Sequence, residues 1–433
     1  MAHELLADDA LVRPTDSLWR NRNFMLLWFA EGAGMLGPQL ALVALPLLAL
    51  KTLQASTFEV SLLTFLGWLP YMIFSLPAGV IADRLDQRKI MIFCDLGRMA
   101  LMLTVPIAGF AGFLSLAYLY AVVGVSGTLT VLFGIAYRSQ LPKLVSSSQL
   151  VDANGKLMVS ESFAELIGPS LGGALVGLVG AGRTLFANVV TLGLSALTLG
   201  SIRIPEAERR IRTATERTTF KAATGEGLSY IRTRPILRSL LLATSMSNFF
   251  VMGVTSIDVT YMVRNLHAAT TVVGMVFTVA AVGGLVAGLL SKRVIARVGS
   301  ARIIWASLLV PGPLYLLMPV AVPGWGVGLY ALGLATFYAA ITLFNVGASS
   351  YRQAVVPSDL LSRVNAGYLW ICYGVIPLGA LFGGTLGTVF GLRATLWVCA
   401  FGMWSASLSV YFSPLRRLRD VPLPKEPAAE PAG

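Results

Sequence analysis

Charge is what this chain has least of. Only 12% of its 433 residues are Asp, Glu, Lys or Arg, about half the share carried by a soluble domain. A chain so short of charge cannot cover a water-facing surface, which excludes an ordinary soluble globule. Histidine is nearly missing: His3 and His267 stand alone, so no histidine cluster for a metal or a proton relay exists. Cys94, Cys372 and Cys399 fall inside apolar runs at spacings that match no zinc motif, and such cysteines read as small hydrophobes. There is no Walker A run and no His-Glu-x-x-His, so ATP hydrolysis and zinc hydrolysis are not expected of this chain. No metal, no cofactor and no enzymatic activity are expected. A cleavable secretory signal is not expected either, because residues 1–23 are polar and acidic at their start.

What is abundant is hydrocarbon. Hydrophobic residues make up 56% of the chain and the mean hydropathy is +0.74. Apolar stretches near 24–50, 58–82, 90–112, 114–137, 160–180, 183–202, 237–262, 271–291, 302–322, 325–348, 367–390 and 394–413 each have the length that crosses a ~30 Å hydrocarbon core as helix. The expected fold is an all-α membrane protein with twelve transmembrane helices in two pseudo-symmetric six-helix bundles. The net charge of +12 invites a nucleic-acid reading, but its distribution argues against one. With the N-terminus inside, only Lys51, Arg183, Arg264 and Arg393 of the 33 basic residues lie in outer loops, and Arg98 lies within a span. That asymmetry is the positive-inside rule. It predicts a multi-pass protein of the cytoplasmic membrane with both termini cytoplasmic, a lipid bilayer as partner and no nucleic acid.

Residues 1–23 read as a cytoplasmic tail, 24–202 as an N-terminal six-helix bundle, 203–235 as a cytoplasmic central loop, 236–413 as a C-terminal six-helix bundle, and 414–433 as a Pro- and Ala-rich cytoplasmic tail expected to be disordered. The end of the central loop, Glu226 to Pro235, alternates apolar and basic residues. Two readings stay open there: a short helix lying on the inner membrane surface, or a solvated tether whose arginines serve topology. Pro38, Pro46, Pro70, Pro77, Pro169, Pro311, Pro313 and Pro377 fall inside spans, where each removes a backbone donor and can kink its helix.

The two halves repeat one another. Gly79-Val-Ile-Ala-Asp83-Arg84 with Arg88 returns as Gly288-Leu-Leu-Ser-Lys292-Arg293 with Arg297, about 210 residues on. Asn154, Gly168, Gly172-Gly173, Gly180 and Thr184-Leu185 return as Asn365, Gly379, Gly383-Gly384, Gly391 and Thr395-Leu396. Duplication at half the chain suits a carrier whose halves rock about a central site.

Gly79 to Lys89 joins the second and third spans, and Asp83 sits at a helix C-terminus, where the dipole disfavours an anion. Arg84 and Arg88 are its nearest cationic candidates. A charge cluster that pairs in one conformation and separates in another makes a latch; Gly79, Asp83, Arg84 and Arg88 are its candidate parts. This loop resembles the signature Gly-x-x-x-Asp-Arg-x-x-Arg-Arg/Lys of the major facilitator superfamily. The resemblance covers nearly the whole chain, and Lys292 replaces the acid in the second copy, as is common in the family. Ile167-Gly168-Pro169-Ser-Leu-Gly172-Gly173 looks like the Gly-Pro-x-x-Gly-Gly element of its antiporters. Arg352-Gln353, Pro357, Arg363-Val364-Asn365-Ala366, Pro142 and Asp152-Ala153-Asn154 resemble the exporter branch that includes enterobactin and macrolide efflux proteins. Two features depart from it. The fourth span, 114–137, carries no Arg where the family's drug/proton antiporters often have one buried, and Pro38 follows Leu36-Gly37 where the exporter branch often has Asp.

Charges inside spans are the sharpest functional lead, since each costs roughly 2.5–3.5 kcal/mol at mid-membrane and so has a partner or a task. Glu31 lies roughly 10 Å into the first span at 1.5 Å per residue. Asp95 and Arg98 share a face of the third span and are expected to satisfy each other or join the latch. Glu161 and Glu165 lie one turn apart before Gly168-Pro169, and Asp258 lies near the outer end of the seventh span. The family's architecture, with spans one, four, seven and ten around the cavity, implies Glu31 as first proton-carrier candidate and Glu165 as second, with binding of a cationic substrate as the latter's rival role. Asn248 and Asn345 offer polar contacts or interhelical bonding. Gly168, Pro169, Gly172 and Gly173 serve helix packing or a kinkable helix that limits leak. The expected function is proton-coupled export of a small amphipathic molecule by a monomer. An importer of the same fold is the alternative, and a receptor or scaffold a remote one.

Overall fold

In the computed structural model, residues 18–84, 86–146, 149–202 and 220–421 are described; within them nothing is said of the side chains at 75–84, 139, 142, 143, 151, 220–224, 358, 359 and 362. The helices are α1 (Arg22–Lys51), α2 (Thr57–Arg84), α3 (Gln87–Phe110), α4 (Leu116–Leu144), α5 (Leu150–Val179), α6 (Ala181–Gly200), α7 (Phe220–Thr233), α8 (Pro235–Arg264), α9 (Thr270–Val298), α10 (Arg302–Leu309), α11 (Gly312–Tyr315), α12 (Leu317–Val320), α13 (Gly326–Val355), α14 (Ser358–Val389) and α15 (Leu392–Tyr411). Among the described residues, twelve stretches are long and apolar enough to cross a membrane. Helix is what such sequences must form, because every backbone N–H and C=O in hydrocarbon needs an internal partner. The outward faces confirm the solvent: Leu178, Leu289 and Leu197 are 81%, 74% and 73% exposed, a surface that only lipid tolerates.

Local chemistry sets the ends. Asn21, Asp86 and Ser115 cap α1, α3 and α4 by accepting from backbone N–H groups of the first turn. Gly180 and Gly391 join α5 to α6 and α14 to α15 in one conformation, φ +87° at both. An L side chain is disfavoured there, so the repeat extends to backbone angles. Pro38, Pro46, Pro169 and Pro377 lie within continuous helices, whereas Pro311 and Pro313 break the ninth span into α10, α11 and α12. A neighbour covers one freed carbonyl, as the indole Nε1–H of Trp404 donates to Leu309 O at 3.0 Å.

The chain forms two compact units. Unit one comprises Met1–Leu53 and Ile73–Glu216; unit two comprises Gln54–Met72 and Arg217–Gly433. The early part of α2 therefore groups with the helices that follow the central connection, although it precedes them in sequence. Its small polar residues explain this. Ser61 Oγ donates to Ser256 O at 3.2 Å, Arg264 donates to Ala55 O at 2.6 Å, and a Cβ on Gly384 would lie 2.4 Å from Ser61 Cβ.

Glycines set the helix crossings within each unit. A Cβ on Gly168 would lie 2.3 Å from Gln39 Cβ, and one on Gly172 3.1 Å from Leu40 O, so α5 lies against α1. In unit two, a Cβ on Gly379 would lie 2.1 Å from Phe249 O, and one on Gly383 2.2 Å from Gly253 O, so α14 lies against α8. The repeated glycines thus make the same crossing twice.

Two connecting segments are more ordered than their composition implies. α7 is held to α14 by Glu226–Arg363 at 2.6 Å and by close approach of Gly227 to the Arg363 carbonyl. After α15, Pro414–Arg417 turns and the chain returns to the α9–α10 loop. Ala301 N–H donates to Arg419 O at 3.0 Å, and Ser300 N–H to Asp420 Oδ1 at 2.9 Å. These bonds order the first part of the tail expected to be disordered; 422–433 lie outside the described residues, as do 203–219 of the central loop and 1–17 of the N-terminal tail.

Candidate transport site

Four helices of unit one, α1, α3, α4 and α6, bring polar side chains into an apolar interior. Asp95 on α3 is fully buried and accepts from Arg98 of its own helix, one turn on, and from Ser195 Oγ of α6 at 2.6 Å. Arg98 is 5% exposed; it also donates to Thr130 Oγ1 of α4 at 3.5 Å and lies over the Phe133 ring, 4.6 Å from its centre. The spacing of Thr130 and Phe133 on α4 puts both beneath the guanidinium. The ion pair is therefore roofed by an aromatic face, where a cation gains from the ring quadrupole.

Glu31 of α1 is 6% exposed and its Oε2 has no hydrogen-bond partner. Arg98, Asp95 and Glu161 are the charged groups that act on it, and Tyr137 of α4 feels both Glu31 and Glu161. Glu161 and Glu165 lie exposed on α5. Asp95, Arg98 and Glu161, which the sequence places on spans other than that of Glu31, thus lie within electrostatic range of it. Arg98 is bound to Asp95, and Glu31 leaves its Oε2 without a hydrogen-bond partner. A further buried charge without compensation is costly.

The other candidates lie apart. Asp258 on α8 is 1% exposed, accepts from the Tyr330 hydroxyl of α13, and leaves Oδ2 without a partner. Tyr330 stacks on Tyr261 at 5.5 Å. Asn248 Nδ2 donates to Cys372 O of α14 at 2.9 Å, an interhelical bond. Asn345 is exposed on α13. Gly168, Pro169, Gly172 and Gly173 are buried, the first and third against α1. Of the latch candidates, the side chains of Gly79, Asp83 and Arg84 lie outside the described residues, although α2 runs through them. Arg88 Nε donates to Leu199 O at 2.8 Å and its Nη2 to Gly200 O, so it satisfies the orphan carbonyls at the end of α6.

Sequence reasoning missed Ser195, Thr130, Phe133 and Tyr137, and also Asn188, which is 2% exposed with an unpartnered Oδ1. A signal was present: Asn188, Thr191 and Ser195 recur at helical spacing on the sixth span. This stripe faces Gly34 and Gly37 of α1; a Cβ on Gly37 would lie 2.3 Å from Asn188 Oδ1.

Twelve apolar spans among the described residues, with glycine crossings and a connecting turn repeated in both halves, suit a membrane transporter. The chain matches the transmembrane secretion effector family of major facilitator proteins over residues 16–431 and belongs to that family. It is a transporter and not an enzyme, a multi-pass protein of the cell membrane that takes small-molecule substrates. It is 24% identical to the multidrug efflux pump Tap of Mycolicibacterium fortuitum, covering 93% of this chain and 98% of that one. It is 23% identical to macrolide efflux protein A of Streptococcus pyogenes, covering 87% of this chain and 93% of the other. Among solved structures, a mutant of the nucleoside transporter NupG superposes with a TM-score of 0.73 over 90% of this chain and 98% of that one, at 11% identity, a likeness of fold.

Proposed function

We propose that this protein exports a small amphipathic molecule across the cytoplasmic membrane in exchange for protons, by alternating access, with Glu31 as the proton carrier. The observation that carries this reading is the surplus carboxylate: Glu31 is buried within electrostatic range of an Arg98 already bound to Asp95 and has an oxygen without a hydrogen-bond partner. A carboxyl group that gains a proton from one side and loses it to the other converts the proton gradient into work. The exposed Glu161 and Glu165, one turn apart on α5, supply negative charge that suits a cationic substrate. Export, rather than import, rests on similarity to Tap and macrolide efflux protein A. Both termini lie in the cytoplasm in this reading, because 28 of the 33 basic residues then fall on that side. The loop at Gly79–Lys89 acts as the conformational latch.

The test compares accumulation of a labelled macrolide, a siderophore and a fluorescent dye in cells expressing wild type or Asp83→Asn. Wild type lowers accumulation of at least one compound and the variant restores it. Unchanged accumulation of all three refutes efflux of these classes, and a rise with wild type reverses the direction to import.

A further inference from the structure

Helix α7 and the first turns of α8 frame a groove that the transport reading leaves unused. Gly225, Leu228, Ser229 and Arg232 recur at three- and four-residue spacing and share one face of α7. Arg238 and Leu241 share a face of α8 and close the other side, around a cavity of about 420 Å³. Its floor is apolar, with Ile231 buried and Leu228 and Leu241 half-buried. Its rim is cationic: Arg232 and Arg238 are exposed, and among the described residues neither has a carboxylate within ion-pair distance. Neighbouring cations are engaged elsewhere. Arg363 holds Glu226, and Arg234 lies over the Tyr230 ring, 5.3 Å from its centre.

We propose that this groove binds one anionic phospholipid of the leaflet it faces. The phosphate sits between Arg232 and Arg238 with the Ser229 hydroxyl as a further donor, and an acyl chain runs over Leu228 and Leu241. Two free guanidinium groups over a hydrocarbon floor complement a molecule that is anionic at one end and apolar at the other. One wall, α8, is long and apolar enough to cross a membrane, which suits a ligand with a hydrocarbon end, and a soluble anion would leave the floor uncovered. A zwitterionic headgroup brings its own ammonium toward the two arginines and is disfavoured. The site belongs to the connection between halves and is independent of substrate and proton.

The full chain, released from detergent, is titrated with phosphatidylglycerol or with phosphatidylcholine of the same acyl chains and read by native mass spectrometry. Wild type retains phosphatidylglycerol selectively. Removing both arginines, R232A with R238A, weakens it about 25-fold, at about fivefold for each cation near an anionic surface. Both side chains are exposed, so folding is spared, and Leu241→Trp, which fills the floor while keeping both charges, weakens it as well. Removing two charges elsewhere, with R416A and R417A, leaves it unchanged. Equal retention of the two lipids, or equal loss in the two double variants, overturns the proposal. So does displacement of the lipid by inorganic phosphate at the same concentration, which makes the site one for a free anion.

Discussion

Arg98 is bound to the buried Asp95 and acts electrostatically on a second buried carboxylate, Glu31. That arrangement separates the consequences of three substitutions. Arg98→Ala leaves Asp95 charged, fully buried and without its cation, and is expected to cost about 3–5 kcal/mol of stability, read from thermal unfolding of the purified protein. Asp95→Asn frees Arg98 to serve Glu31, so the fold survives better than in Arg98→Ala while proton coupling is lost. If the two variants unfold alike, Glu31 does not reach Arg98 and the charge count fails. Glu31, Asp95 and Arg98 were legible in the sequence because a charge in an apolar run announces itself. Their meeting was not, because hydropathy gives no facing. Ser195 and Thr130 stayed hidden for a different reason: single hydroxyls are common in membrane helices and carry no charge to mark them.

At the scale of the element, glycine decides which helices approach. Gly379→Ala puts a methyl 2.1 Å from the Phe249 carbonyl oxygen and is expected to cost about 1–3 kcal/mol. Gly374→Ala, on the same helix with nothing within 4 Å, is tolerated; equal melting temperatures for the two would show that the α8–α14 crossing is looser than described. The tail clasp offers a pH-dependent counterpart. Asp420 is held below the ordinary carboxylate range, first by the Ser300 backbone N–H, then by the Ser300 hydroxyl and the nearby Arg419 and Arg302. Its contribution is therefore present above the ordinary Asp value, about 4, and is lost as pH falls through its lowered value. Spin labels at Arg297→Cys and Val421→Cys should separate below that range in the wild-type background and at neutral pH in Asp420→Ala. An unchanged distance in Asp420→Ala removes the carboxylate from the clasp. Twelve spans and the repeat could be read from sequence because bilayer thickness fixes helix length. The clasp could not, because a Pro- and Ala-rich tail has no periodic signal and its partners are one loop serine and nearby backbone groups.

At the scale of the molecule, orientation and coupling carry the functional reading. The three native cysteines are buried, so introduced thiols report on a quiet background. His267→Cys should react with a membrane-impermeant maleimide on intact cells, and Ser229→Cys only after lysis; the reverse pattern inverts the topology. The most direct test of the central claim is proton-driven uptake, into inverted membrane vesicles, of whichever compound the cells exclude, comparing wild type with Glu31→Gln. The variant is expected to bind the compound and to exchange it across the membrane at equilibrium, yet to accumulate none when a proton gradient is imposed. Accumulation at the wild-type level would contradict the assignment of Glu31 and pass the role of proton carrier to Glu165.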